Sequence, residues 1–156
     1  IGSLTATNTV SGDIVIRELD ALVIAPSGVS TLLGDSSVII TVEEGDFTVN
    51  GDVSVSGAGR LLLNALGHST AGDLTINADI QTASGSVSLL ARDDLSFSDS
   101  GSVKVFSGAG TVDLQAIDGL LTMGSESVVQ SDGGKGRVIG ARLFVCRFHA
   151  STPTTR

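Results

Sequence analysis

The sequence predicts an all-β fold: a right-handed parallel β-helix of about six coils, each of about 25 residues. Three observations lead to this prediction. A strand–turn–strand pattern recurs at a nearly constant interval, Trp and Tyr are absent, and glycine and aspartate separate short alternating stretches. A β-sandwich uses similar short strands and is the rival fold, but the nearly constant interval favours the solenoid.

The repeat is clearest in two segments that align without a gap. Ile14–Ile24 reads IVIRELDALVI, and Val87–Phe97 reads VSLLARDDLSF. In both, apolar residues alternate along the chain, a short polar corner carries an aspartate, and the alternation resumes. Because successive side chains of a strand point to opposite faces, one set of apolar residues should line the core. We expect the following residues to point inward and to stack: Ile14, Ile16, Leu22, Ile24, Val87, Leu89, Leu95, Phe97, Val112 and Leu114.

Units of this kind cover most of the chain. Their first apolar residues are Ile14, Val38, Leu61, Val87, Val112 and Val138, in steps of 24, 23, 26, 25 and 26 residues. A second strand recurs in most units, as at Phe47–Val49, and a third short strand often follows, as at Val53–Val55. We predict that residues 1–156 form a single β-solenoid segment. Within it, residues 143–156 form an atypical tail, because their Arg, Cys and His content departs from the repeat.

The composition restricts the kind of core that the chain can build. It contains no Trp, no Tyr and five Phe. Small β-branched and aliphatic side chains must therefore be buried in regular layers, which favours a repetitive β architecture. No segment keeps a 3.6-residue apolar period over three turns, so the sequence gives little support for helices.

The charge of the chain is unevenly distributed. The formal net charge is -8, and the basic stripe with stacking aromatic residues that nucleic acid requires is missing over most of the chain, so we expect no nucleic-acid partner. Residues 1–132 contain four basic residues and all 17 acidic ones, which gives −13, whereas residues 133–156 carry +5. One interpretation is simply a solvated acidic body with a basic end. The alternative is that the two ends attract when copies align head to tail, and such contacts would build a fibre.

Targeting and redox signals are sparse. No stretch approaches the roughly 18 apolar residues of a membrane span. Neither an initiator Met nor a signal-peptide pattern stands at Ile1, so we expect a fragment or a processed product. Its partners would be neighbouring coils of a longer chain or other copies of itself. Cys146 is the single cysteine, which rules out an internal disulfide and favours a small apolar residue.

Three stretches carry a family resemblance: GDFTVNGDVSVSGAG, GDLTINADIQTASGSVSLLA and GSVKVFSGAGTVDLQA. Their repeat style, which extends over Gly12–Ala141, resembles the repeat regions of very large bacterial surface proteins of the filamentous-haemagglutinin-like adhesin kind. The resemblance implies a secreted or cell-surface protein with a structural or adhesive role, as a stiff shaft or a self-associating filament subunit. It also implies host-surface or matrix glycans as partners, and it carries over no catalytic or binding residue.

A carbohydrate-active enzyme of the pectate-lyase-like kind is the alternative, because such enzymes often use this fold. Their sites combine an acid cluster for Ca²⁺ with an Arg or Lys base. The best local candidates are Asp93, Asp94 and Asp99 as calcium ligands, with Arg92 and Lys104 nearby. The lack of Trp and Tyr platforms for sugar rings weighs against both catalysis and tight glycan binding. We therefore expect no catalytic residue and no cofactor, and Ca²⁺ at these aspartates is the one metal site that we consider.

Corner residues give two further expectations. Acids fall at comparable corners of successive units, at Asp20, Glu44, Asp93 and Asp118. Like charges stacked at coil spacing repel, so salt or divalent ions should stabilise the fold. The insertion GHSTAG at residues 67–72 should bulge from a corner and leave His68 exposed.

Overall fold

The computed structural model describes residues 2–69, 72–99 and 101–140, together with two short strands beyond them. Within this part of the chain every regular element is a β-strand. The strands are β1 (Ser3–Asn8), β2 (Ile14–Glu18), β3 (Leu22–Thr31), β4 (Val38–Val42), β5 (Phe47–Val49), β6 (Val53–Val55), β7 (Leu61–Ala65), β8 (Leu74–Ile76), β9 (Ile80–Thr82), β10 (Val87–Ala91), β11 (Leu95–Phe97), β12 (Lys104–Ser107), β13 (Val112–Ala116), β14 (Leu120–Thr122), β15 (Val128–Ser131), β16 (Gly136–Ile139), β17 (Arg142–Phe144) and β18 (Phe148–Ala150).

The strands stack in parallel into three faces. Face 1 is a six-stranded sheet in the order β16-β13-β10-β7-β4-β2. The second sheet has 12 strands and forms faces 2 and 3, because the first half of β3 pairs with β5 and its second half with β6. Face 2 continues through β8, β11, β14 and β17, face 3 continues through β9, β12, β15 and β18, and β1 lies along β3. The predicted β-solenoid of about six turns is confirmed, and its right-handed winding stays a prediction.

The register on face 1 follows the predicted unit starts in all but the last unit. One column aligns Ile14, Val38, Leu61, Val87 and Val112. The next residue in that column is Gly136, whereas Val138 pairs with Leu114. The last unit therefore begins two residues earlier than predicted, because a glycine gives no apolar signal. Cys146 and residues 151–156 of the predicted tail lie outside the described residues.

The inward orientation of the apolar residues is confirmed. Leu22, Ile24, Val87, Leu89, Leu95, Phe97, Val112 and Leu114 are all buried. Ile14 and Ile16 are only partly buried, although they pack against the same core. They lie on β2, which pairs with β4 on one side and has no second neighbour among the described strands. Each further turn thus completes the burial of the one before it.

Glycines form a column at the corner between faces 3 and 1: Gly59, Gly85, Gly110 and Gly134. A Cβ atom on Gly85 would overlap the carbonyl oxygen of Gly59, and one on Gly110 would overlap that of Gly85. Only a residue without a side chain lets successive turns approach this closely. Inward-pointing hydroxyl groups also bond to the backbone at this corner. Thr82 Oγ1 and Ser107 Oγ donate hydrogen bonds to the Gly85 carbonyl oxygen at 2.6 and 2.9 Å.

Candidate functional site

The three aspartates considered as calcium ligands lie at two different corners. Asp93 and Asp94 precede β11, whereas Asp99 follows it. The Asp94 carboxylate is engaged with the next turn, because its Oδ1 accepts a hydrogen bond from the Leu120 backbone N at 2.7 Å. Among the described residues, no group of three His, Cys, Asp or Glu side chains is placed to hold a metal ion. The structure thus does not bring Asp99 to the other two aspartates, and calcium binding stays a prediction.

The two basic residues considered beside these aspartates have separate neighbours. Arg92 Nη2 lies 2.7 Å from Asp118 Oδ2, in an ion pair between adjacent turns. Lys104 lies on face 3, with its Nζ atom 4.7 Å from the centroid of the Phe106 ring. The acidic and basic residues that are close in the sequence therefore do not form one cluster, because they are divided between faces.

A column of carboxylates lies where the chain enters face 2, at Asp46, Asp73 and Asp94, which immediately precede β5, β8 and β11. Asp46 Oδ1 accepts a hydrogen bond from the Asp73 backbone N at 3.4 Å, and Asp73 Oδ1 accepts one from the Asp94 N at 3.0 Å. Burial raises the pKa of Asp73, and the negative charges of Asp46, Asp94 and Asp93 raise it further. The hydrogen bond from the Asp94 backbone N opposes this effect. Like charges stack here because each carboxylate caps an N–H group of the following turn.

The corner acids expected to repel one another are arranged differently. Residues 67–69, which precede a gap in the described chain and lie between Glu44 and Asp93 in the sequence, contain no acid. Glu44 Oε2 accepts a hydrogen bond from the Ser69 N at 2.9 Å, and Asp118 pairs with Arg92. The repulsion expected of that set stays a prediction, and neighbouring carboxylates contribute to a raised pKa at Asp73.

Glu43 is a buried carboxylate that joins three consecutive turns. Glu43 is only 7% exposed. Its Oε1 accepts a hydrogen bond from Arg17 Nε at 2.5 Å, and its Oε2 lies 3.2 Å from His68 Nε2. The hydrogen bond from Arg17 holds the pKa of Glu43 below its usual range against the cost of burial, with a smaller contribution from His68. His68 is exposed as predicted, but the sequence analysis missed its partner. The sequence signal for this pair is its spacing, because 25 residues separate Glu43 from His68 and this distance is one turn.

A groove of about 320 Å³ lies on face 3. Its lining includes the apolar residues Leu32 and Phe106, the small residue Ala83, and the polar residues Ser54 and Gln81. Register places Ser54, Gln81 and Phe106 in one column, because Ser54 is the partner of Gln81 and Gln81 is the partner of Phe106. Sequence reasoning missed the groove because its residues come from separate turns and alternate with core residues.

The lining of the groove has unused hydrogen-bonding capacity. Within the described part of the chain, neither the Ser54 hydroxyl nor the Gln81 carboxamide makes a hydrogen bond, and Gln81 is exposed. No lining residue carries a charge. The groove therefore combines one aromatic ring with neutral hydrogen-bond donors and acceptors.

Membrane spans and known relatives add no further assignment. The residues that the structure describes include no helix that could span a membrane. No protein-family profile, no curated protein and no solved structure matches this chain.

Proposed function

We propose that the chain is a structural and adhesive β-solenoid segment of a secreted or cell-surface bacterial protein. It acts as a stiff shaft or as a self-associating filament subunit. The observation that carries the proposal is the parallel stacking of all three faces from turn to turn. At about 4.8 Å per turn, six turns span roughly 30 Å. Backbone hydrogen bonds and apolar layers join each turn to the next, so bending the rod requires these contacts to be distorted together.

Outward side chains support a structural role because many of them bond to the turn above or below. Asn77 Nδ2 donates a hydrogen bond to Asn50 Oδ1 at 2.8 Å. On face 2, Ser96 Oγ donates to Thr75 Oγ1 at 3.3 Å. Such ladders use polar groups to fasten neighbouring turns, whereas a catalytic site needs them to converge on one point.

The proposed partners are neighbouring coils of a longer polypeptide or head-to-tail copies of this chain. Among the described strands β2 pairs only with β4, so its other edge presents N–H and C=O groups that a further strand can use. The charge asymmetry supports an end-to-end direction, since residues 1–132 carry −13 and residues 133–156 carry +5. The extracellular setting rests on the repeat style of Gly12–Ala141.

Analytical ultracentrifugation over a range of protein concentrations, with electron microscopy, tests this proposal. We expect concentration-dependent end-to-end association that weakens with salt. Lys135→Glu, at the exposed basic end, should weaken the association. Lys104→Glu is the matched control, because it makes the same charge change on the exposed side of face 3.

Two outcomes would contradict the proposal. One is a monodisperse monomer at high concentration in the parent chain. The other is release of reducing ends from a pectate-type polysaccharide, lost in Asp94→Asn, which would favour the enzyme alternative.

A further inference from the structure

The groove on face 3 is lined in part by outward-pointing side chains that do not help to join one turn to the next. Ser54, Gln81 and Phe106 alternate with buried residues on β6, β9 and β12, so their side chains lie on the outer surface while the strands are held from inside. Phe106 is half-buried and Leu32 is exposed, and both border the groove. A ligand in the groove can contact these groups without disturbing the core.

The chemistry of the lining restricts the ligand class. No lining residue carries a charge, so a cationic ligand would lose hydration without compensation. An anionic ligand would meet the Lys104 ammonium group, which lies outside the lining, 4.7 Å from the centroid of the Phe106 ring, and the sulfated comparison below tests that case. A purely apolar ligand would bury the Gln81 carboxamide and the Ser54 hydroxyl without hydrogen bonds, which is costly. The ligand that matches is uncharged, carries several hydroxyl groups and presents an apolar face to Phe106.

An extended peptide matches less well. Peptides that join a β-sheet gain much of their affinity from main-chain hydrogen bonds at a free strand edge. The groove instead lies on the outer side of a face whose strands β6, β9 and β12 are already paired with their neighbours. A peptide backbone would meet side chains there and no free row of N–H and C=O groups.

We propose that this groove binds a pyranose ring of an uncharged saccharide chain. The C–H face of the sugar packs on the Phe106 ring, and its hydroxyl groups bond to the Gln81 carboxamide and the Ser54 hydroxyl. The site deepens the adhesive part of the proposed function by naming its ligand class. It rests on that function only for the biological setting, since binding at the groove does not require end-to-end association.

Amide-resolved NMR titration of the 156-residue chain tests the site. The probes are neutral gluco-, manno-, galacto- and chito-oligosaccharides, with a sulfated oligosaccharide and an uncharged peptide as comparisons. At least one neutral sugar should shift the amide signals around Ser54, Gln81 and Phe106 at concentrations on the order of millimolar. Gln81→Ala and Phe106→Leu should each weaken binding by about three- to tenfold.

Gln130→Ala is the matched control, because Gln130 is the next residue in the same column beyond Phe106 and does not line the groove. It should leave the affinity unchanged, and unaltered spectra elsewhere would show that each variant is folded. The proposal is overturned if no neutral sugar shifts these signals. It is also overturned if the sulfated sugar or the peptide binds more tightly, or if Gln130→Ala matters as much as Gln81→Ala. Any of these results would leave the shaft proposal standing, because that proposal is tested by association.

Discussion

At the scale of single residues, two carboxylates show how neighbours decide the effect of a charge. Glu43 is buried between Arg17 and His68, and the hydrogen bond from Arg17 lowers its pKa. Asp73 stands in a column with Asp46 and Asp94, and its burial among acids raises its pKa. The two groups should therefore contribute to the pH dependence of stability with opposite signs.

The Glu43 interaction should stabilise the fold above the pKa of an unfolded glutamate, about 4.3. Its contribution should be lost as the pH falls through the lower folded-state pKa. Glu43→Gln should lower the melting temperature at neutral pH and flatten the acid limb of the stability profile. Thermal melts followed by circular dichroism across that pH range would check this. Glu126→Gln, at an exposed position, is the control, and an equal effect of the two substitutions would argue against the Glu43 network.

Asp73 should behave in the opposite way. Its folded-state pKa lies above the unfolded value of about 3.9, so the folded state holds more protons in the interval between them. The free energy of unfolding should fall as the pH rises through that interval. Asp73→Asn keeps an oxygen for the Asp94 N–H group and removes the charge. It should raise the melting temperature at neutral pH and reduce the stabilisation by NaCl.

Asp99→Asn is the control for that experiment, because it removes one negative charge at an exposed position outside the column. A melting temperature of Asp73→Asn below that of the parent at neutral pH would show that the carboxylate stabilises the turn more than its neighbours repel it.

At the scale of strands, alternation decides which substitutions the fold tolerates. β10 points Val87, Leu89 and Ala91 into the core, while Ser88 and Leu90 point outward and are half-buried. The inward residues contact equivalent residues of the turns on both sides, as Leu89 does with its partners in β7 and β13. A change on the inner side therefore affects three layers at once.

Leu89→Asp should destabilise the protein by at least about 3 kcal/mol, because it buries an unpaired charge among apolar layers. Leu90→Asp on the same strand is the matched control and should cost much less, since its side chain reaches water. Chemical denaturation followed by circular dichroism would measure both. If Leu89→Asp unfolds at the same denaturant concentration as the parent, the assignment of inward residues is wrong.

The strand scale also shows what the sequence could predict. Alternation identified the inward position of residues such as Leu89, because burial imposes a period of two on the residue types. It misplaced the last unit, where Gly136 occupies the column position of an apolar residue. The pairing of Glu43 with His68 and the groove beside Gln81 depend on which turns lie next to each other. A linear pattern carries this information only through exact spacing.

At the scale of the whole molecule, equivalent registers make each turn an interchangeable unit. Val87 pairs with Leu61 on one side and with Val112 on the other, at the same position of the face. Removing one whole turn should therefore bring two compatible surfaces together. Removing part of a turn should shift inward residues to the wrong column.

Deletion of residues 87–111 should give a folded, shorter rod that melts at a lower temperature, because Val112 would then meet Leu61. Deletion of residues 87–98, about half a turn, should abolish cooperative folding. Circular dichroism and thermal melts of the two deletion variants would distinguish these outcomes. Equal stability of the two would contradict an interchangeable turn.

The parallel stacking of turns also gives the protein an order of assembly. Most strands pair with the strand about one turn earlier in the chain, and the paired segments lie about 24 residues apart throughout. No turn needs a segment from a distant part of the sequence in order to form its strand pairs. The chain can therefore acquire its structure progressively as it leaves the ribosome, with each finished turn serving as the template for the next.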